Sequence, residues 1–327
     1  MIKPISTTLQ TLFADLVQKR YGAAAGGTVY TRERDGIEYY YAKVPVGRTR
    51  IDCFIGKVGD PVAEQQVRKL REGLAEGQER RRTIAILRSA GFASWDGFLG
   101  ATLDAISHAG LFENGAVLVG TAAYTASEAH AGAFLPQPTL MTGDVDFATA
   151  DLALSAEPPE PLLKILKRAD PSFEAVMQLD PRKPPSRFRN SEGILVDVIT
   201  GVRRSTDANP MPLEALEAGA APLQHVDWLI EHPIKTIALW GTGVPVTIPQ
   251  TSRLAVHKLI LAQSRKAGDR LKRQKDLAQA AALIEALQST DPFALDDAFE
   301  SARAQGPNWG AKIDRSLAEL ERLPLAQ

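Results

Sequence analysis

Two carboxylates placed two positions apart, Asp144 and Asp146, give the chain its strongest chemical signal, within Gly143-Asp144-Val145-Asp146-Phe147. Side chains alternate along a strand, so a short apolar strand here turns both acids to one side. Like charges on one face repel unless a cation lies between them, and a divalent metal is the usual solution. Upstream, Ala116-Val117-Leu118-Val119-Gly120-Thr121 has the pattern of a buried strand that runs straight into a helix over 122–129. Such a turn offers free backbone N–H groups to phosphate oxygens. Gly120 lets the backbone come close to a phosphate, and Thr121 can add its hydroxyl. Taken alone, the pair is equally a plain turn with Thr121 as helix cap.

A third acid, Asp197, interrupts the apolar run Gly193-Ile194-Leu195-Val196-Asp197-Val198-Ile199-Thr200. A buried strand aspartate is costly without a partner. Phosphoryl transfer on two metals needs acidic ligands that converge on one point, which Asp144, Asp146 and Asp197 could supply. The pieces describe a place to hold a nucleoside triphosphate (ATP among the candidates) on magnesium, with manganese able to substitute.

The C-terminal part carries a second cluster. Arg253–Ile260 and Arg273–Ala280 read as helices, with Gly268 as a stop and Asp269 as a new N-cap. Lys258 precedes Gly268 by roughly 15 Å of helix and Asp276 follows it by roughly 12 Å, so a helical hairpin sets them nearly level. Lys258 could then reach a triphosphate, with Asp276 orienting it. On spacing alone, a solvated lysine and a helix-terminal aspartate are the simpler reading. Arg265, Lys266, Arg273 and Lys275 could offer a basic edge to RNA phosphates. His257 faces another side of its helix and needs no catalytic role. The histidines lack metal-ligand spacing, and no Walker loop or Gly-x-Ser-x-Gly elbow occurs.

The elements that must position these residues follow from the rest of the chain. Its 327 residues allow a substantial core, and a length prior of about two domains. A net charge of −1 gives no global argument for a nucleic-acid or membrane partner. The lone Cys53 excludes a disulfide framework, suits a buried strand, and fits a reducing, cytoplasmic setting. No apolar signal or membrane-length run is visible.

A helix from Ser6 to about Tyr21 precedes strands at 28–31, 37–44 and 49–55, with Asp35-Gly36 as a hairpin turn. Basic and aromatic residues interleave on this meander in the manner of a single-stranded nucleic-acid platform. Tyrosine is also simply a good strand residue, and that plainer reading is preferred. A long polar helix runs from Asp60-Pro61 to about Arg88 and carries Glu79-Arg80-Arg81-Arg82, read as a solvated face; another spans Trp95 to His108. After the core come Pro158-Pro159 and Pro161, a helix from Leu162, a basic loop at 183–189, and strands at 226–230, 236–239 and 244–248 around the turn Gly241-Thr242-Gly243. These patterns divide the chain into 1–92, a helix, meander and long helix; 93–250, a catalytic core; and 251–327, a helical domain.

The order Gly120-Thr121, Asp144-x-Asp146, Asp197 resembles the DNA-polymerase-β-like nucleotidyltransferases. With Lys258 and Lys275-Asp276-Leu277-Ala278-Gln279-Ala280, it is similar to the bacterial nucleotidyltransferases related to the abortive-infection type IV toxins. The resemblance implies an α+β fold with a mixed sheet flanked by helices, and transfer of a nucleotidyl group from an NTP to an acceptor, often a tRNA end. It implies Asp144 and Asp146 as metal ligands, Asp197 as a further ligand or general base, and Gly120, Thr121 and Lys258 as triphosphate contacts. Asp276 would match the toxins' downstream aspartate. It also implies a toxin–antitoxin or phage-defence setting with a protein antitoxin. Threonine stands where serine or glycine is usual, and the spacer to Asp144 must hold an extra loop around Phe134-Leu135-Pro136-Gln137-Pro138. The rival expectations are an inactive core kept as a binding module, and an antitoxin or scaffold.

Overall fold

Ser6 begins the first long element because its side chain accepts a hydrogen bond from the Leu9 N–H. A computed structural model describes residues 2–23, 26–137, 144–149, 160–178, 180, 183–202 and 209–322. Strand β1 (Lys3–Pro4) leads into α1 (Thr7–Tyr21). Then β2 (Thr28–Arg34), β3 (Ile37–Val46) and β4 (Thr49–Lys57) form an antiparallel sheet in that order. Asp35 and Gly36 take φ of 54° and 73°, the left-handed pair that a two-residue hairpin requires. Cys53 is exposed, against expectation, because β4 is an edge strand and its flank is left open.

Helix α2 (Pro61–Ser89) starts where the Asp60 side chain accepts from the Val62 N–H. Of its arginine run, Arg81 and Arg82 are solvated as expected, whereas Arg80 is buried and pairs with Glu76. Helix α3 (Gly97–His108) begins two residues later than expected, because Asp96 caps it by accepting from the Phe98 and Leu99 N–H groups. Trp95 is left before the helix and buried in the core.

The central part is β5 (Val117–Val119), α4 (Gly120–Ala126), α5 (Glu128–Ala131), β6 (Ala133–Phe134), β7 (Asp144–Ala148), α6 (Leu162–Ala169), β8 (Glu174–Ala175), β9 (Arg187–Arg189), β10 (Leu195–Gly201), β11 (Met211–Leu213) and β12 (Ala218–Leu223). Seven strands join in the order β11-β12-β10-β7-β5, with β9 also on β10 and β8 on β9. β10 is parallel to β7 and β12, while β5, β9 and β11 run antiparallel to their neighbours, so the sheet is mixed. Phe134 pairs with Lys3 in a small sheet; Pro138, Gly143, Pro158 and Pro159 fall outside the described residues.

The expected strand at 226–230 is instead a helix, α7 (Val226–Ile230). Four of its five residues are buried, and so short an apolar run carries no period to tell strand from helix. A hairpin of β13 (Ile234–Ala238) and β14 (Val244–Ile248) follows, then α8 (Thr251–Ser264), α9 (Arg270–Thr290), α10 (Pro292–Ala304) and α11 (Pro307–Arg322). Gly268 does not end α8, which stops at Ser264. Residues Ala267–Asp269 form a tight 3-10 turn, and Asp269 caps α9 without a side-chain bond. One hydrophobic cluster runs from Ile5 to Ile313 through α1, the mixed sheet, the β13–β14 hairpin and the C-terminal helices, and takes no residue from the β2–β4 sheet. Among the described residues, no helix is long and apolar enough to cross a membrane.

Candidate active site

The parallel ladder between β7 and β10 sets Asp146 beside Asp197 and Asp144 beside Leu195. Registered partners in such a ladder point the same way, so the three carboxylates share one face. On the other face Val145, Phe147, Val196 and Val198 are fully buried. A slip of one residue would bury the acids and expose the core, so the hydrophobic alternation holds the acidic cluster in place.

On the far side of β7, Val119 lies opposite Asp146 and the chain then turns into α4. Gly120 takes φ +68°, and a Cβ there would stand 2.5 Å from Asp146 Oδ2. The glycine thus answers both to a left-handed backbone and to the carboxylate crowding it. Thr121 follows within the first turn of α4, half-buried, its carbonyl accepting from the Thr125 hydroxyl.

Burial, then the charges of Asp197 and Asp144, push the Asp146 carboxyl up to about 6; Lys258 and Lys275 pull it back. Burial and the two neighbouring carboxylates make the ionised form of Asp146 costly, so a cation placed on the cluster would stabilise it. Asp144 and Asp146 offer hard oxygen donors on one face, the chemistry that suits magnesium bound together with substrate phosphates.

Asp197 has the partner that a strand aspartate requires. Arg187 lies opposite it across the β9–β10 ladder, donating from Nε to Oδ1 at 2.6 Å and from Nη2 to Oδ2 at 2.7 Å. That hydrogen bond and the neighbouring acids push the Arg187 guanidinium above its ordinary range, against burial. Among the described residues, no group of three or more His, Cys, Asp or Glu side chains is arranged to hold a metal ion.

The C-terminal helices bring the cations. α8 is buried on every side from Thr251 to Ile260, and Lys258 on it is 2% exposed. Its Nζ donates to Asp276 Oδ1 at 3.2 Å, and Arg265 Nε donates to Oδ2 of the same carboxylate at 3.0 Å. The hairpin of α8 and α9 therefore does level Lys258 with Asp276, but as an enclosed pair rather than a solvated lysine. Burial lowers Lys258, and Asp276 opposes that shift. Lys275, half-buried, is lowered by burial and raised by Asp276, Asp144 and Asp146. His257 is buried beside Lys258 and pushed down to about 3 by burial and that charge, so it is neutral.

Of the four residues of the expected basic edge, Lys266 is exposed, and the other three are half-buried and turned toward acidic partners. Arg265 is engaged with Asp276, Arg273 with Glu319, and Lys275 acts on the acidic pair. Arg187, expected in a basic loop, lies on strand β9, and Lys275 was expected on a basic edge; sequence reasoning assigned neither to the acidic cluster. The alternation Arg187-Phe188-Arg189, with Phe188 buried, was the available sign of a strand able to answer Asp197.

A family model described as nucleotidyltransferase matches residues 98–304. The chain belongs to that family. The matched span begins in α3 and ends with α10, so it holds all three carboxylates, Gly120, Thr121, Arg187 and the lysines of α8 and α9. No curated protein and no solved structure matches the chain. Membership makes this nucleotidyltransferase an enzyme class that takes a nucleotide substrate, and it does not single out the type IV toxin branch.

Proposed function

We propose that the protein is a magnesium-dependent nucleotidyltransferase that moves a nucleotidyl group from an NTP to an RNA acceptor, a tRNA end being the first candidate. The observation that carries this reading is the β7–β10 register, which sets Asp146 against Asp197 with Asp144 on the same face. Asp144 and Asp146 would hold the metal, with Asp197 as third carboxylate once Arg187 turns away. The metal would neutralise the triphosphate and lower the pKa of the attacking hydroxyl.

The chain's own groups supply the remainder. Gly120 and Thr121 present the turn into α4 to the triphosphate, and Lys258 and Lys275 add positive charge from the helical side. Asp276 would hold Lys258 in position, and Asp197 would serve either as that third ligand or as the base that takes the proton of the acceptor hydroxyl. That oxygen bonds to the α-phosphorus as the bond to the β-phosphate bridge breaks and pyrophosphate leaves. Positioning and charge neutralisation would provide most of the acceleration. The three segments 1–92, 93–250 and 251–327 would then act as acceptor module, core and charge-supplying helical domain. A place inside the cell as a toxin–antitoxin or phage-defence component, with a protein antitoxin, is supported by the resemblance alone.

The test is to incubate purified protein with each α-labelled NTP, magnesium and total RNA, beside an Asp144→Ala/Asp146→Ala double variant. Label on RNA from the wild type and none from the variant is expected; no label from any NTP would overturn the reading. The Arg187–Asp197 fork favours one rival, a core that binds nucleotide without transferring it. Nucleotide affinity that is indifferent to magnesium would support that rival.

A further inference from the structure

The sheet of β2, β3 and β4 lies outside the span matched to the family. Its inner face is used: Ala42 and Val46 are buried, and the Tyr40 hydroxyl donates to Glu64 of α2. On the outer face the register puts Tyr30 opposite Tyr41, Tyr41 opposite Phe54, and Arg32 opposite Tyr39. Tyr30 and Tyr41 stack with centroids 5.8 Å apart, and Phe54 meets Tyr41 edge-on at 5.5 Å. None of these rings is buried, and Phe54 is 63% exposed.

Cations are threaded among them. The Arg32 guanidinium lies 5.1 Å from the Tyr30 centroid and 5.5 Å from that of Tyr41, with Lys43 at 5.6 Å from Tyr30. Strand propensity accounts for tyrosines in a sheet. It does not account for an open phenylalanine, or for arginine and lysine interleaved with the rings on the one face that no core covers. A ligand with flat rings on a polyanionic backbone uses both features: its bases stack on the aromatics and its phosphates meet the cations. Asp52, on the same face and bonded by the Tyr30 hydroxyl, would repel phosphate but can accept from a ribose 2′-hydroxyl.

We propose that this face binds a single-stranded stretch of RNA, through Tyr30, Tyr41 and Phe54 as stacking surfaces and Arg32 and Lys43 as phosphate contacts. The assignment rests on the RNA-acceptor part of the proposed function and gives that acceptor its docking site. Fluorescence anisotropy of the full-length protein with a labelled single-stranded RNA of roughly 10 nucleotides tests it, without NTP or metal. Parallel arms use DNA of the same sequence and duplex RNA.

The single-stranded RNA is expected to bind best, and more weakly as salt rises. Phe54→Ala, at an open position where folding is not at stake, is expected to weaken binding by about 5-fold or more, and Tyr41→Phe to preserve it. Arg32→Ala is expected to flatten the salt dependence. No binding at low salt, equal or tighter binding of DNA or duplex, or unchanged affinity in Phe54→Ala and Arg32→Ala would each overturn the proposal. The Asp144→Ala/Asp146→Ala variant separates the two readings: RNA binding retained with transfer lost supports both. Wild-type RNA binding without transfer in any assay counts against the transfer alone.

Discussion

Gly120 and Asp146 are the pair of residues on which the acidic site turns. A Cβ at position 120 would meet Asp146 Oδ2 and would also strain a left-handed backbone. Gly120→Ala is therefore expected to lower stability by about 1–3 kcal/mol, read by urea denaturation, and to reduce transfer at the same time. Asp146 itself makes a prediction with a definite sign. Its carboxyl moves from an ordinary 3.8 up to about 6 in the fold, so the folded chain keeps a proton that the unfolded chain releases. The contribution is favourable below the unfolded value and is lost as pH rises through about 6. In metal-free buffer, Asp146→Asn should exceed the wild type by about 1–3 kcal/mol near pH 8, with the gap closing toward pH 4. Denaturant titrations at both pH values check this, and a gap independent of pH would refute a charge origin.

Among the elements, α8 and α9 hold the most exposed-to-error arrangement, because a single carboxylate serves two cations inside the protein. Asp276→Ala leaves Lys258 and Arg265 without their partner, and is expected to cost about 3–5 kcal/mol. Adding Lys258→Met should recover part of the loss, since Arg265 can turn toward water; a double-mutant cycle on unfolding free energy decides it. Glu128 at the start of α5 is a second such joint. It is 3% exposed and accepts from the Ala93 N–H at 2.8 Å and the Leu135 N–H at 3.0 Å. Glu128→Gln turns an amide nitrogen toward one of those donors and should cost about 1–3 kcal/mol by urea midpoint.

Elements also show why some of the site was legible and some was not. The carboxylates of β7 and β10 announced themselves because buried alternation leaves few places for an acid. Asp35-Gly36 and Asp60-Pro61 spell their turn and helix start in local chemistry. Arg187 lies on a three-residue strand whose single alternation is too brief to stand out, and its meaning depends on a partner in another strand. Val226–Ile230 and Cys53 fail for related reasons: one lacks a period, and the burial of the other depends on which strand ends at the sheet's edge.

At the level of the whole molecule, α1 is bonded to the β13–β14 hairpin although it precedes the meander. The single Tyr21 hydroxyl proton is shared between the Thr236 and Val246 carbonyls, at 3.1 and 3.2 Å, and Arg20 Nε donates to the Gly243 carbonyl at 2.7 Å. A chain cut to residues 93–327 would uncover the β13–β14 hairpin and is expected to melt roughly 5–15 °C lower, by calorimetry. This long-range dependence could not be read from sequence, where α1 and the hairpin are separated by most of the chain.

The neighbouring strands that carry Asp146 and Asp197 impose one more condition on this protein's relatives. The excursion between them can grow or shrink, for nothing in the pairing counts its residues. What cannot change is parity: an odd insertion within either strand would swing its acid behind the sheet and break up the shared acidic face, while an even one would keep it in view.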